Sequence, residues 1–182
     1  MNAPMLLLVC GPSGSGKDSI LDASRDALDK DPRVYFARRW VTRHDGAPRE
    51  IATTATEIDR FEAEGKLACR WAAHGLEYAL ARTELEQAPP VQMVIANVSR
   101  TSVADLHQQF NARTVLVEAS IDVREARLRA RGREASDPER ARRLMRHVAI
   151  DPHQVHHRVR NDGVLSVSVA AFVDIVCQYL ES

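Results

Sequence analysis

The sequence predicts a single α/β domain built on a five-stranded parallel sheet flanked by helices. Three observations lead there. The apolar run Met5 to Cys10 ends in a glycine-studded turn and an amphipathic segment follows, which reads as strand, loop, helix. Apolar runs then alternate with helical patterns along the chain, the order expected of a parallel sheet with right-handed crossovers. Val91 to Ala96 is almost continuously apolar, as a strand is when both faces of its sheet are covered. At 182 residues there is length for one such domain and not for two ordinary ones, so residues 1–182 are read as one unit.

The first helix runs from about Gly16 to Leu28 with Ile20, Leu21, Ala23, Ala27 and Leu28 as its apolar stripe, and Asp29-Lys-Asp-Pro32 stops it. Val34 to Val41 is the second strand and delivers Thr42 and Arg43 to its end. From residue 43 to about 88 the apolar runs shorten and polar residues mix in. Thr54-Ala-Thr-Glu57 is a capping box opening a helix that Gly65 closes, and Lys66 to Ala72 and Leu76 to Leu80 flank Ala73-His-Gly75 as a hairpin. Residues 43–88 are therefore expected to form an inserted subdomain rather than another crossover unit.

Beyond Pro89-Pro90 come the strand Val91 to Ala96, a helix from Ser99 to Phe110 and a strand from Arg113 to Ala119. Asp122 with Glu125 marks a helix to about Arg131, residues 131–138 make a polar loop, and Asp137 with Pro138 opens a helix to about Ile150. His157 to Arg160 reads as the last strand and Asn161-Asp-Gly163 as a turn. Ser166 to Leu180 closes the chain as a helix with Val167, Ala170, Ala171, Val173, Ile175, Val176 and Leu180 packed inward. A ligand of such a sheet belongs at the carboxyl ends of its strands, the edge from which both 43–88 and 131–138 depart.

The loop Gly11-Pro12-Ser13-Gly14-Ser15-Gly16-Lys17 has the composition of a phosphate cradle. Its glycines let consecutive backbone N–H groups turn inward, the following helix aims its positive end at the same point, and Lys17 adds a full charge for the outer phosphates. The next position is normally a Ser or Thr whose hydroxyl ligates Mg²⁺; here it is Asp18, with Ser19 one place on. The strand Val91 to Ala96 ends in Asn97, where many phosphate-loop enzymes place a metal-binding carboxylate. The acid that is missing there is expected to have moved into the loop as Asp18, whose oxygens suit Mg²⁺; the alternative is that Asp18 only stabilises the positive end of its helix.

The formal net charge is +0, which gives no reason to expect nucleic acid or a membrane as partner. The basic residues are nonetheless uneven: 22 of the 25 are arginine, and eleven of those lie between Arg124 and Arg160. Arginine's planar fork suits bidentate phosphate contacts. The 3 cysteines share no motif spacing, and no apolar stretch reaches the length of a signal-peptide core or a membrane span, so a cytoplasmic protein is expected. His147, His153, His156 and His157 lack the spacing and carboxylates of a metal tract and are read as solvated. A homodimer is left open.

A phosphate loop, a region inserted after the second strand and an arginine-rich loop between two late helices form the layout of the nucleoside monophosphate kinase group. Gly11-Pro-Ser-Gly-Ser-Gly-Lys17 and Thr42-Arg43 resemble guanylate kinase. Four stretches carry a finer match: Gly16-Lys-Asp-Ser19, Trp71-Ala-Ala-His-Gly-Leu-Glu-Tyr78, Asn97-Val-Ser-Arg100, and Arg131-Gly-Arg-Glu134 with Asn161-Asp-Gly163. In that order they resemble the ribose 1,5-bisphosphate phosphokinases of phosphonate catabolism. Two departures are Ala79, where a glycine usually follows the hairpin tyrosine, and Pro48-Arg-Glu50.

The resemblance implies a guanylate-kinase-like P-loop NTPase fold and phosphoryl transfer from ATP, with Mg²⁺, to the sugar phosphate ribose 1,5-bisphosphate, giving 5-phospho-α-D-ribose 1-diphosphate (PRPP) and ADP. An acceptor that is itself a phosphate is already ionised and needs no general base, which makes sense of many arginines and no catalytic dyad. Arg131 and Arg133 on the polar loop, with Arg143 and Arg146 at i and i+3 on the next helix, are expected to converge on the moving phosphoryl from a lid at 131–138. Arg39, Thr42, Arg43, His74, Tyr78 and Arg100 are the candidates for the acceptor. The rival reading is guanylate kinase, which would keep Ser or Thr at position 18 and carry an acidic guanine signature between Asp45 and Tyr78. A non-catalytic module of the same fold is disfavoured by the intact Lys17.

Overall fold

The structure, a computed structural model, describes residues 3–43, 49–131 and 149–181. β1 (Met5–Cys10) leads through the glycine-rich loop into α1 (Lys17–Leu28), and β2 (Val34–Phe36), β3 (Arg39–Val41) and β4 (Glu50–Ala52) follow. Next come α2 (Ala55–Ala63), the hairpin strands β5 (Leu67–Ala73) and β6 (Leu76–Ala81) and the short α3 (Arg82–Leu85). β7 (Met93–Asn97), α4 (Val103–Gln109), β8 (Ala112–Glu118), α5 (Ile121–Arg131), β9 (His157–Arg160) and α6 (Leu165–Leu180) complete the described elements. The main sheet has the order β2-β7-β1-β8-β9 with all neighbours parallel, the five-stranded α/β architecture the sequence predicts.

Alternation along each strand explains the continuous apolar runs. Leu6, Leu8 and Cys10 of β1 face one way with Val94 and Ala96 of β7, under Val103 and Leu106 of the helix α4. Leu7, Val9, Met93 and Ile95 face the other way, under Ile20, Leu21 and Leu28 of α1 and Phe172, Ile175 and Val176 of α6. Both faces are buried, so each central strand has no polar side to show.

A second sheet, ordered β4-β3-β6-β5, is built from strands between residues 39 and 81; β3 and β4 are parallel, and both pairs involving β6 are antiparallel. The Thr54–Glu57 capping box is formed, and Gly65 stands at φ 67° just past the helix end. The hairpin turns through His74 (φ 57°) and Gly75 (φ 73°), consecutive left-handed residues as a two-residue hairpin turn demands. Ile58 of α2 is fully buried and Trp40 of β3 lies 4.5 Å from the Phe61 ring, which anchors α2 to the small sheet.

Three expectations need correction. Val34 to Val41 is not one strand: after Ala37 N–H donates to Ile95 O (2.9 Å), Arg38 N–H turns to Glu84 Oε2 (2.8 Å) and Arg39 joins the second sheet. Glu84, 7% exposed, also accepts from the Tyr35 hydroxyl (2.7 Å) and the Arg38 guanidinium (3.1 Å), so a carboxylate distant in sequence sets where the backbone changes sheets. On α6, Val167, Ala170 and Ala171 are exposed, and the buried line is Ser168, Phe172, Ile175 and Val176. The helix is rotated because the Ser168 hydroxyl donates inward to Arg160 O (2.9 Å) and meets Asn161 Oδ1 (3.1 Å). The segment after β7 opens as a 3-10 turn at Arg100–Ser102 before α4, and the helix expected to start at Asp137 lies outside the described residues.

Candidate active site

The loop between β1 and α1 is held in shape from outside. Gly14 (φ 79°) and Gly16 (φ 86°) are left-handed, and a Cβ at Gly16 would stand 2.2 Å from Asn161 Nδ2, so neither backbone geometry nor space admits a side chain there. Asn161 Nδ2–H donates to Ser15 O (2.8 Å), Arg124 Nε–H to Ser13 O (2.9 Å) and Arg127 Nη1–H to Ser15 O (3.4 Å). Those carbonyls are taken by α5 and by the turn after β9, and within the loop Ser15 N–H donates to Pro12 O (3.2 Å), so the loop is fixed in place where α1 begins. Burial pushes the Arg124 guanidinium below its ordinary range.

The Lys17 ammonium spans the loop, donating to Gly11 O (3.0 Å) and Pro12 O (3.5 Å). Burial lowers it to about 8, with Asp18 acting in the opposite sense and Arg39 and Arg100 reinforcing the fall. Arg100, in the 3-10 turn beyond β7, is close enough to bias both Lys17 and Cys10, whose thiol burial drives up to about 11. Asp18 lies in the first turn of α1, its Oδ1 accepting from Asn97 Nδ2–H (2.7 Å) with Arg39 Nη2 at 3.8 Å. Ser19 follows it, half-buried.

Arg39 belongs to β3 and reaches both ways. Its guanidinium pairs with Glu50 Oε1 (2.7 Å), while the other Glu50 oxygen takes Arg43. Glu50 is 5% exposed at its side chain and sits directly across from Arg39 in the β3–β4 pairing. Beneath Arg39 lies the buried Tyr78 ring (5.5 Å), stacked on Trp71 (5.6 Å). Asn97, Asp18, Arg39, Glu50 and Arg43 thus form an unbroken line of polar contacts from the phosphate loop into the second sheet.

Other expected residues take different places. The Thr42 hydroxyl accepts from Glu77 N–H (2.9 Å) and so fastens β6, and His74 is the first left-handed residue of the hairpin turn, before Gly75. Arg131 ends α5, and Arg133, Arg143 and Arg146 lie outside the described residues. His156 stacks on His107 (5.5 Å) and His157 meets the Tyr179 hydroxyl (2.9 Å). Sequence reasoning missed Glu50, Arg49, Arg124, Arg127 and Asn161 as parts of the site. Arg49 donates to the Asp18 carbonyl (2.8 Å) and pairs with Asp22 (2.5 Å), tying the second sheet to α1. A three-residue strand carries no periodicity that could have revealed Glu50 or Arg49.

No family model matches the chain. In sequence it is 40% identical over 169 residues to ribose 1,5-bisphosphate phosphokinase PhnN of Brucella melitensis, covering 91% of this chain and 88% of that one. It is 38% identical to the PhnN phosphokinase of Pantoea vagans, covering 94% and 96%. A bifunctional ribose 1,5-bisphosphokinase-thymidine phosphorylase of Cupriavidus pinatubonensis is 40% identical over 92% of this chain, which corresponds to 28% of that longer protein. In structure, guanylate kinase from Anaplasma phagocytophilum superimposes with a TM-score of 0.67 at 10% identity, over 97% of this chain and 86% of that one, and shares the fold. No helix among the described residues is long and apolar enough to cross a membrane. With its phosphate loop intact and with this identity over most of both chains, the chain belongs to the ribose 1,5-bisphosphate phosphokinase family.

Proposed function

We propose that the protein transfers the γ-phosphoryl group of ATP to the 1-phosphate of ribose 1,5-bisphosphate, giving PRPP and ADP, in the cytoplasm where both nucleotides are at hand. An oxygen of the acceptor's 1-phosphate forms a bond to the γ-phosphorus as the bond to the β,γ-bridging oxygen breaks. The attacking oxygen is already ionised, so no proton has to move. Supporting this reading is the polar line from Asp18 through Arg39 to Glu50 and Arg43, which puts the second sheet within one side chain of the phosphate loop.

In this reading the loop 11–16 and Lys17 hold the donor phosphates, the region 43–88 holds the acceptor, and Arg39 and Arg43 take its phosphate oxygens. Tyr78 supports Arg39 from below, and Thr42 and His74 shape the rim. Arg100 adds positive potential beside the loop. Arg131, Arg133, Arg143 and Arg146 close on the transferring group from the lid at 131–138. An oxygen-rich pair, Asp18 with Asn97, fits a hard divalent cation, and Asn97 Oδ1 is buried with no hydrogen-bond partner among the described residues. Mg²⁺ bound there would neutralise charge on the donor phosphates.

The decisive experiment measures ADP release with ribose 1,5-bisphosphate and with GMP under identical conditions. Brisk turnover of GMP and none of the pentose would overturn the assignment in favour of guanylate kinase. The lid is tested by Arg131→Ala and Arg143→Ala, each expected to lower kcat by roughly 10³-fold or more while KM for ATP moves little. A kcat within about twofold of wild type in both would remove them from the reaction.

A further inference from the structure

Asn97 has a chemically one-sided position. It ends β7, in register with Val9 of β1 just before the loop, and its side chain is turned towards Asp18 at the start of α1. The amide can be oriented only one way: with Oδ1 towards Asp18, two acceptors would face each other at 2.7 Å, so Nδ2–H is the group that donates. Oδ1 is then committed to the other side. There it is buried, without a hydrogen-bond partner among the described residues, and carried by a residue that is only 8% exposed. A buried carbonyl oxygen without a donor is costly, and such an orphan in a native site calls for a partner.

Many phosphate-loop enzymes hold the metal with a hydroxyl on the loop and a carboxylate at a neighbouring strand end. Here the two positions carry the opposite chemistry, a carboxylate on the loop and a neutral amide on the strand, and the two are hydrogen-bonded to each other. We propose that Asn97 is the outer-sphere partner of the metal–nucleotide site, its N–H orienting the Asp18 carboxylate and its Oδ1 accepting a hydrogen bond from a metal-bound water. The pair is an exchanged version of the hydroxyl–carboxylate arrangement, with the negative charge moved from the strand to the loop. Arg39, 3.8 Å from Asp18 Oδ1, does not stand in the way: its shorter contact is to Glu50, at 2.7 Å, and that carboxylate keeps it anchored when a cation approaches.

The inference rests on the donor half of the proposed function and is independent of which acceptor is used. Its test is Mn²⁺ binding to the full-length protein saturated with ADP, followed by electron paramagnetic resonance of the free ion, in wild type, Asn97→Ala, Asp18→Ser and the double variant Asp18→Ser/Asn97→Asp. Asn97→Ala and Asp18→Ser are each expected to weaken Mn²⁺ by about tenfold or more. The double variant, which restores the usual placement of hydroxyl and carboxylate, is expected to return to within about threefold of wild type, a non-additive recovery. ADP affinity in chelator and the metal-free Tm are read in parallel. Asn97→Ala loses its bond to Asp18 and so lowers the metal-free Tm in any case; a merely structural role would weaken ADP in chelator as much as Mn²⁺, whereas a metal role leaves ADP affinity in chelator within about twofold. Wild-type Mn²⁺ affinity in Asn97→Ala, or losses in the double variant that simply add, would overturn the proposal. Loss of turnover on ribose 1,5-bisphosphate with these binding results intact would instead count against the acceptor assignment alone.

Discussion

The two sheets are held together by different forces. In the main sheet, strands β1 and β7 are apolar on both faces and packed between α1 and α6 on one side and α4 on the other. In the small sheet the cross-connections are largely charged: Arg70 of β5 reaches Asp59 (3.0 Å) and Glu62 (2.5 Å) of α2 and Glu77 (2.8 Å) of β6, while Glu50 binds Arg39 and Arg43. Apolar packing fixes the nucleotide side regardless of ligand. On the proposed function the second sheet takes the anionic acceptor, and charges that already pair with each other can be shared with it.

Substitutions can break this contrast in a graded way. Phe172→Ala, at the fully buried centre of the α6 packing, should cost about 3–5 kcal/mol of stability, read from urea unfolding. Glu84→Ala, at the junction of the sheets, leaves the Tyr35 hydroxyl and the Arg38 N–H without their acceptor and should cost about 1–3 kcal/mol, with a raised KM for the acceptor because the second sheet loses its anchor. Glu50→Ala strands Arg39 and Arg43 without their nearly buried partner, so it should lower stability and raise KM for the acceptor about tenfold, equivalent to about 1.4 kcal/mol, with a smaller rise in KM for ATP. Equal rises in both constants would erase the distinction between the two halves.

Two smaller effects sharpen it. Lys17, lowered to about 8 by burial, is charged below that pH and neutral above it, and only the charged form attracts phosphates. ADP affinity in chelator, measured by calorimetry, should therefore be flat below pH 7 and about fourfold weaker at pH 8.5. Val167→Glu, on an α6 face that is 69% exposed, should change stability by less than about 0.5 kcal/mol.

What could be read from residue order was whatever local patterning determines. The alternation that buries Leu6 to Cys10 on two faces, the Thr54–Glu57 reciprocal cap and the glycines of the loop each carry their own signature within a few positions. What escaped depends on contacts between distant residues. Glu84 acts on Arg38 across 46 positions and divides an apolar run that looked like one strand. Ser168 rotates α6 through a bond to Asn161 that no helical periodicity anticipates. Asp18 and Asn97 were each noticed as unusual, but only their 2.7 Å contact shows them to be one feature.

Asn161 lies 146 positions after Ser15, whose carbonyl it binds, and at 1% exposure it is sealed from solvent. The shape of the Gly11–Lys17 loop is therefore tied to a turn that follows it by well over a hundred residues. A product truncated at Arg160 would retain the whole Gly11–Lys17 signature yet lack the clasp that shapes it. The loop therefore cannot take this shape until residue 161 has been made and β9 has docked beside β8.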